Sequence, residues 1–480
     1  MRLVVGVDLG TQSCKAVVCD ERLRVLGDHQ IGHATAYPKP GWAEQDPRVW
    51  EAALAPAIGK ALVAASAKPS DVVGLALAGQ LDGCIAVDAN SEPLHPALIW
   101  QDKRATEMPV DRARLFELTG QVADASHLAA KARWLRAAGI AAVTWHQPTS
   151  YLLARLTGHK FLDHAHASTT MLYDLASRSW SPELLAAFAI DPATLPAIAS
   201  TTAIAGELHA AGAVLTGLPI GTRVAVGTGD DFATPLGAGV AGPGYAICAI
   251  GTAEVVGGLS ATAVFDRPAP PRETILETHA YPTGAFFIEN PGWMSGGAVR
   301  WATRLLGLSS DAELDALAVT APPGADGITF IPALAGAMTP MWRADARGTL
   351  HGLAASHDRS HIARAVLEGL AYASREVIER IAELGLATDQ VLVLGGGGNS
   401  AVWNQIRADV LGRVHHVAAR TDTCAIGAAM IAAVATGIFP DLAAAAGCAL
   451  PPAKTFTPAT LDGTDYERYR RLVRQIAPLW

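Results

Sequence analysis

Two glycine-threonine turns, each set in an apolar run, are the residues of this chain best suited to chemistry. The first is Val5-Gly6-Val7-Asp8-Leu9-Gly10-Thr11-Gln12-Ser13, and the second, about 240 residues later, is Ala246-Ile247-Cys248-Ala249-Ile250-Gly251-Thr252-Ala253-Glu254. Each apolar run breaks at Gly-Thr and resumes as another β-type stretch, Lys15-Ala16-Val17-Val18 or Val255-Val256, the pattern of a tight hairpin. Glycine lets backbone N–H groups approach an oxyanion, and Thr or Ser hydroxyls add donors, so each turn can grip phosphate as a nest. Repetition of the turn points to an internally repeated architecture and to a nucleotide clamped in a cleft.

Four acids accompany the turns. Asp230 and Asp231 follow the strand-like Arg223-Val224-Ala225-Val226-Gly227. One of the two suits a helix cap, and one suits a base that accepts a hydroxyl proton during phosphoryl transfer. Asp8 sits at the tip of the first strand, as a turn residue or as a carboxylate for Mg²⁺ beside phosphate oxygens. Gln80, Leu81 and Asp82 form a glycine-flanked turn after the strand-like Val72 to Leu77, where polar groups can fix the hydroxyls of a small polyhydroxylated substrate. Glycines crowd again at Gly395-Gly396-Gly397-Gly398-Asn399-Ser400, between the strand Val391 to Leu394 and a helix starting near Ala401, and at Gly296-Gly297 before the helix-like Ala298 to Leu306. At both places backbone can lie flat against a ligand.

Alternating short apolar runs and Ala-rich helical stretches must position these groups, which predicts an α/β protein. With 480 residues, 50% hydrophobic and 17% charged, the chain can fill more than one core. We expect residues 1–240 and 241–480 to form two domains. A net charge of −8 argues against general nucleic-acid or anionic-membrane binding and leaves small molecules as the expected partners. The six cysteines show no metal-ligand spacing and read as reduced thiols of a cytosolic protein, with no signal peptide at the N-terminus. Cys424 to Phe439 is too short for a membrane span and reads as a buried core helix. Gly237-Ala238-Gly239-Val240-Ala241-Gly242 matches a dinucleotide fingerprint in form only, because it follows a helix-like segment and leads into a strand. Asp163-His164-Ala165-His166 and His415-His416 lack a third ligand at helical spacing.

Asp8-Leu9-Gly10-Thr11, Trp42-Ala43-Glu44-Gln45-Asp46-Pro47, Gly79-Gln80-Leu81-Asp82-Gly83, Trp100-Gln101-Asp102-Lys103-Arg104, Gly229-Asp230-Asp231 and Gly395-Gly396-Gly397 together resemble the FGGY carbohydrate kinases, most of all xylulokinases. The segment Gly348 to Leu353, followed by His361 to Glu368, is similar to that family's C-terminal signature. The resemblance implies a two-lobed, actin-like (ribonuclease H-like) ATPase fold with a central cleft, sugar in the first lobe and ATP in the second. It further implies transfer of the γ-phosphate of Mg-ATP to a sugar, with Asp230 as catalytic base and Asp8 and Asp230 near the metal. Gly10, Thr11, Gln12, Ser13, Lys15, Gly251 and Thr252 fall at the phosphates, and Gly296, Gly297, Gly396, Gly397, Gly398 and Asn399 at the nucleoside.

Substrate contacts fall to Gln80, Leu81, Asp82, Asp230 and Asp231. Xylulokinases usually carry Met-His where this chain has Leu81-Asp82, and Asn where it has Asp231; Leu128 also departs from the N-terminal signature. Acceptor-only carboxylates change which hydroxyls can be read and disfavour an aldonate. The expected acceptor is a neutral ketose, a ketopentose such as xylulose first and another ketose second, with a polyol third, since glycerol kinases carry a substrate-binding Glu where Asp82 falls. A non-kinase actin-like ATPase is the rival from another class. Homodimers are common in families of this kind.

Overall fold

The computed structural model describes residues 2–269, 272–461 and 463–480. Two compact units divide the chain: residues 1–242, 278–286 and 422–449 form the first, and residues 243–277, 287–421 and 450–480 the second.

In the first unit the central strand β1 (Leu3–Leu9) is apolar almost throughout and nearly all buried, as expected of a strand covered on both faces. It pairs antiparallel with β2 (Ser13–Cys19), which pairs antiparallel with β3 (Val25–Gly32). Helix α1 (Pro47–Ala64) starts with Asp46 accepting from Arg48 N and Pro47 at its first position, and turns Trp50, Leu54, Ile58 and Ala61 to the core. On the other side of β1 lies the parallel β4 (Val72–Gly79). Helix α2 (Leu128–Ala137) follows, then β5 (Ile204–Glu207), β6 (Arg223–Ala225) and the short β7 (Thr228–Gly229). The sheet order is β5-β6-β4-β1-β2-β3, with β7 also on β4, and helix α3 (Asp230–Gly237) leaves directly from β7.

The second unit repeats this plan. Its strands are β8 (Ala246–Ile250), β9 (Ala253–Ser260) and β10 (Phe286–Met294), then β11 (Gln390–Leu394), β12 (Val414–Val417) and β13 (Lys454–Phe456). They run in the order β10-β9-β8-β11-β12-β13. As in the first unit, the β8–β9 hairpin is antiparallel, two parallel strands follow, and an antiparallel strand closes the far side. Helices α4 (Gly296–Leu305), α5 (Arg359–Glu383) and α6 (Ala401–Leu411) flank it. The repeat announced by the two hairpins is therefore a repeat of whole sheets. Helix α4 begins at Gly296, so Gly296 and Gly297 form its first turn, a correction to the expected start at Ala298.

Helix α7 (Thr423–Ala435) lies far along the sequence yet belongs to the first unit, packed on β1, β4 and α3. It is the buried core helix expected from the apolar run, and no helix among the described residues is long and apolar enough to cross a membrane. Glycine makes this packing possible, because a Cβ on Gly427 would lie 2.1 Å from Ala233 O and one on Gly237 1.9 Å from Thr423 O. Gly237, the first glycine of the apparent dinucleotide fingerprint, is thus a helix-packing residue. Gly427→Val is expected to lower stability by about 3 kcal/mol or to abolish folding, measured by urea denaturation, because backbone cannot give way as a side chain can.

Candidate active site

The first hairpin places Asp8 at the end of β1, opposite Lys15 across β2. The turn closes through Gly10 N donating to Ser13 O at 3.0 Å. Thr11 is held from two directions: Trp100 Nε1 donates to its hydroxyl at 2.8 Å, and its carbonyl accepts from Gln45 Nε2 at 2.6 Å. Gln45 Oε1 in turn accepts from Trp50 Nε1 at 3.0 Å and from Gln80 Nε2 at 2.9 Å. Gln80 is 1% exposed, so its amide braces the Thr11 turn from beneath. Arg104 ties the flanking segments together. Its guanidinium grips the Asp102 carboxylate, donates to Glu44 at 2.7 Å and lies 3.5 Å from the centre of the Trp42 ring.

Asp82 occupies a left-handed turn at φ +58°. Its N–H donates to Gln147 Oε1 at 2.9 Å, and Lys131 Nζ donates to both Asp82 O and Ile99 O at 2.7 Å. Burial pushes the Lys131 ammonium down to about 8. Asp82 Oδ1 lies 3.2 Å from His127 Nδ1, whereas Oδ2 has no hydrogen bond among the described residues. Leu81 is buried, and a Cβ on Gly229 would meet its Cδ2 at 2.1 Å. The Leu81-Asp82 turn and the start of α3, with Asp230 and Asp231 in its first turn, are therefore in direct contact. Both acids are partly exposed, and Asp231 N–H donates to Asp230 Oδ1 at 3.1 Å.

Cys424, at the start of α7, is near both Asp8 and Asp230. It bonds Asp8, and the charges of both Asp8 and Asp230 join burial in pushing its thiol pKa well up. Desolvation raises the Asp8 pKa from 3.8 to about 6, opposed by Cys424 and Lys15 and aided by Asp422. A folded-state value above the unfolded one means that ionised Asp8 costs stability above pH 6 and that the cost fades toward pH 4. Asp8→Asn should therefore raise the melting temperature of the ligand-free protein at pH 7.5 and not at pH 4, while activity is lost. Because Asp8 keeps some exposure, the gain should be only about 1 kcal/mol. Equal shifts at both pH values would contradict the sign.

In the second unit the hairpin is tighter, with Gly251 N donating to Ala253 O at 2.8 Å and Gly251 and Thr252 exposed. Thr252 O accepts from Ser295 N at 3.1 Å and Gly297 N at 3.0 Å, which joins this turn to the start of α4. Beneath them Glu254 and Arg407, both 0% exposed, form a two-pronged ion pair. Glu254 also accepts from Ser295 Oγ at 2.7 Å and Ser374 Oγ at 2.9 Å. Residues 396–399 form a short 3₁₀ turn whose Gly397 O accepts from Asn404 Nδ2 at 3.0 Å. Within it Gly396 and Asn399 are exposed, while Gly398 is buried and a Cβ there would meet Val417 at 2.7 Å.

The structure brings the first-unit residues Asp8, Leu81, Asp82, Asp230 and Asp231 into one neighbourhood, with Gln80 below it. In the second unit it joins Gly251, Thr252, Gly296 and Gly297. Sequence reasoning missed Cys424, His127, Arg300 and Glu254; only Glu254, two residues after the second Gly-Thr, stood beside a motif that could have drawn attention to it.

Two sheets of one topology, each opening with a glycine-threonine hairpin, define an actin-like ATPase. Family models agree: the N-terminal domain of the FGGY family of carbohydrate kinases matches residues 3–237, and its C-terminal domain residues 246–436. The chain belongs to the FGGY family and is an ATP-dependent carbohydrate kinase. It is similar to a glycerol kinase of Alkalilimnicola ehrlichii, at 35% identity over 91% of each chain, and to a xylulose kinase of Klebsiella pneumoniae, at 31% over 85% of each. A solved xyloylose kinase from Brucella ovis superposes with a TM-score of 0.91 at 28% identity and covers 100% of both chains.

Proposed function

We propose that this kinase transfers the γ-phosphoryl group of Mg-ATP to a terminal hydroxyl of a small neutral polyol, with Asp230 as the base. The observation that carries the acceptor is Asp82 Oδ2, an acceptor atom without a partner among the described residues, on a turn in contact with the start of α3. A carboxylate oxygen there takes a bond from a hydroxyl and repels a ketone oxygen or an acid group. Asp231 adds a second carboxylate to the same neighbourhood, so an aldonate is disfavoured.

Asp8 and Asp230 suit Mg²⁺, which binds through one or two carboxylates and keeps its waters, and the raised Asp8 pKa, set mainly by burial, marks a carboxylate short of solvation that a cation would relieve. When bound, Mg²⁺ neutralises phosphate charge. The chain's own work is to hold the phosphates at the Gly10-Thr11 and Gly251-Thr252 turns, orient the acceptor hydroxyl at Asp82, and take its proton on Asp230. Gln12, Ser13 and Lys15 complete the first turn, and Gly296, Gly297, Gly396, Gly397 and Asn399 face the nucleoside, whereas buried Gly398 packs on Val417 and supports that turn from behind. In this reading the first unit binds the acceptor and the second the nucleotide.

A ketopentose such as xylulose is the second reading. It is supported by the Klebsiella pneumoniae relative and by the Brucella ovis structure. Coupled assays of ADP release with glycerol, erythritol, ribitol, D-arabinitol, xylulose, ribulose and gluconate separate the two. The highest kcat/KM is expected with a polyol and no stimulation with gluconate. Stimulation by ketopentoses alone would overturn the polyol reading in favour of the second, and stimulation by gluconate would contradict the charge argument.

A further inference from the structure

The second-unit turns assigned to the nucleotide, residues 251–252, 295–297 and 395–399, contain no lysine or arginine. A nucleoside triphosphate is polyanionic, and phosphoryl transfer depends on positive groups placed where its charge lies. A cation from the following helix reaches these turns. Arg300, on the second turn of α4, donates from Nη2 to Thr252 Oγ1 at 2.8 Å. Its surroundings are fixed, because a Cβ on Gly296 would lie 2.3 Å from Gly251 O and 4.0 Å from Arg300 Nη1.

Two further observations bear on Arg300. Exposed Arg300 has no carboxylate partner among the described residues, and its bond to Thr252 is its sole hydrogen bond there, so its charge is not already neutralised. Its partner also matters. A threonine hydroxyl that accepts from a guanidinium keeps its own proton to donate, so Arg300 turns the Thr252 O–H into a donor for a phosphate oxygen. The remaining N–H groups of the planar fork are left for the phosphates themselves.

We propose that Arg300 is a catalytic residue that binds the terminal phosphates of the nucleotide, directly and through the Thr252 hydroxyl. This rests on the reading that these turns hold ATP. The test is calorimetric titration of wild type, Arg300→Gln and Arg300→Lys with ADP and with adenosine, alongside kcat and KM for ATP. Arg300→Gln is expected to weaken ADP binding by about 10- to 100-fold, leave adenosine binding unchanged and lower kcat. Arg300→Lys, which keeps the charge and loses the fork, should fall between. Unchanged ADP affinity in Arg300→Gln would overturn the proposal. So would a parallel loss of adenosine and ADP binding, which is the mark of a damaged turn. Absence of ADP binding by the wild type would instead remove the nucleotide reading on which the proposal rests.

Discussion

Asp230→Asn is expected to lower kcat about a thousandfold with any accepted acceptor while leaving the melting temperature and acceptor binding close to those of the wild type. Asparagine keeps the shape and loses the proton-accepting charge. The start of α3 is fixed by backbone, through β7 on β4, Leu81 against Gly229, and Gly237 against α7. None of these contacts uses the carboxylate, so a large fall in turnover without unfolding is the signature of a base. Turnover within tenfold of the wild type would show that the proton goes elsewhere, with Asp231 the next group to test.

The second large effect is expected at the buried pair of the second unit. Arg407→Met leaves Glu254 charged and enclosed, which should cost about 3–5 kcal/mol in urea denaturation. Nucleotide affinity should fall with it, since Glu254 secures Ser295 while Ser295 N and Gly297 N secure Thr252, and α6, which carries Arg407, also carries the Asn404 that holds Gly397. The double variant Glu254→Leu with Arg407→Met separates the two roles. Its stability should recover by more than half, because two apolar side chains replace two charges, whereas ADP binding should stay weak because the tie to Ser295 is gone. Equal instability of the single and double variants would show that the loss comes from packing and not from an orphaned charge.

Much of this was legible in the sequence because it is local. A β-run that breaks at Gly-Thr must turn there, and two such turns announced two sheets of the same order. Asp230 drew attention as a candidate from its place after a strand, and the kinase class was legible from motifs along the whole chain. What stayed hidden depends on contacts distant in sequence. Arg300 touches Thr252 only because α4 begins at Gly296, and a Gly-Gly pair reads more readily as a turn than as a helix start. Glu254 and Arg407 are 153 residues apart, and no local pattern marks a buried pair at that range. The glycines at 395–398 read as one flexible loop, yet a Cβ on Gly395 would meet Ile250 O at 2.7 Å and one on Gly398 would meet Val417, so part of the run answers to neighbouring strands. His127 gave no signal, because its partner Asp82 is 45 residues earlier.

Helix α7 sets the order in which this enzyme can be made. It covers β1 and clamps α3, yet it leaves the ribosome almost 200 residues after the proposed base. Until then the nascent first unit has an open, apolar sheet face and an α3 with nothing behind it. A fragment of residues 1–242 is thus an unfinished body that should need a separately supplied α7 segment to close. For the growing chain, the acid that would do the chemistry is among the last groups of its unit to find its place.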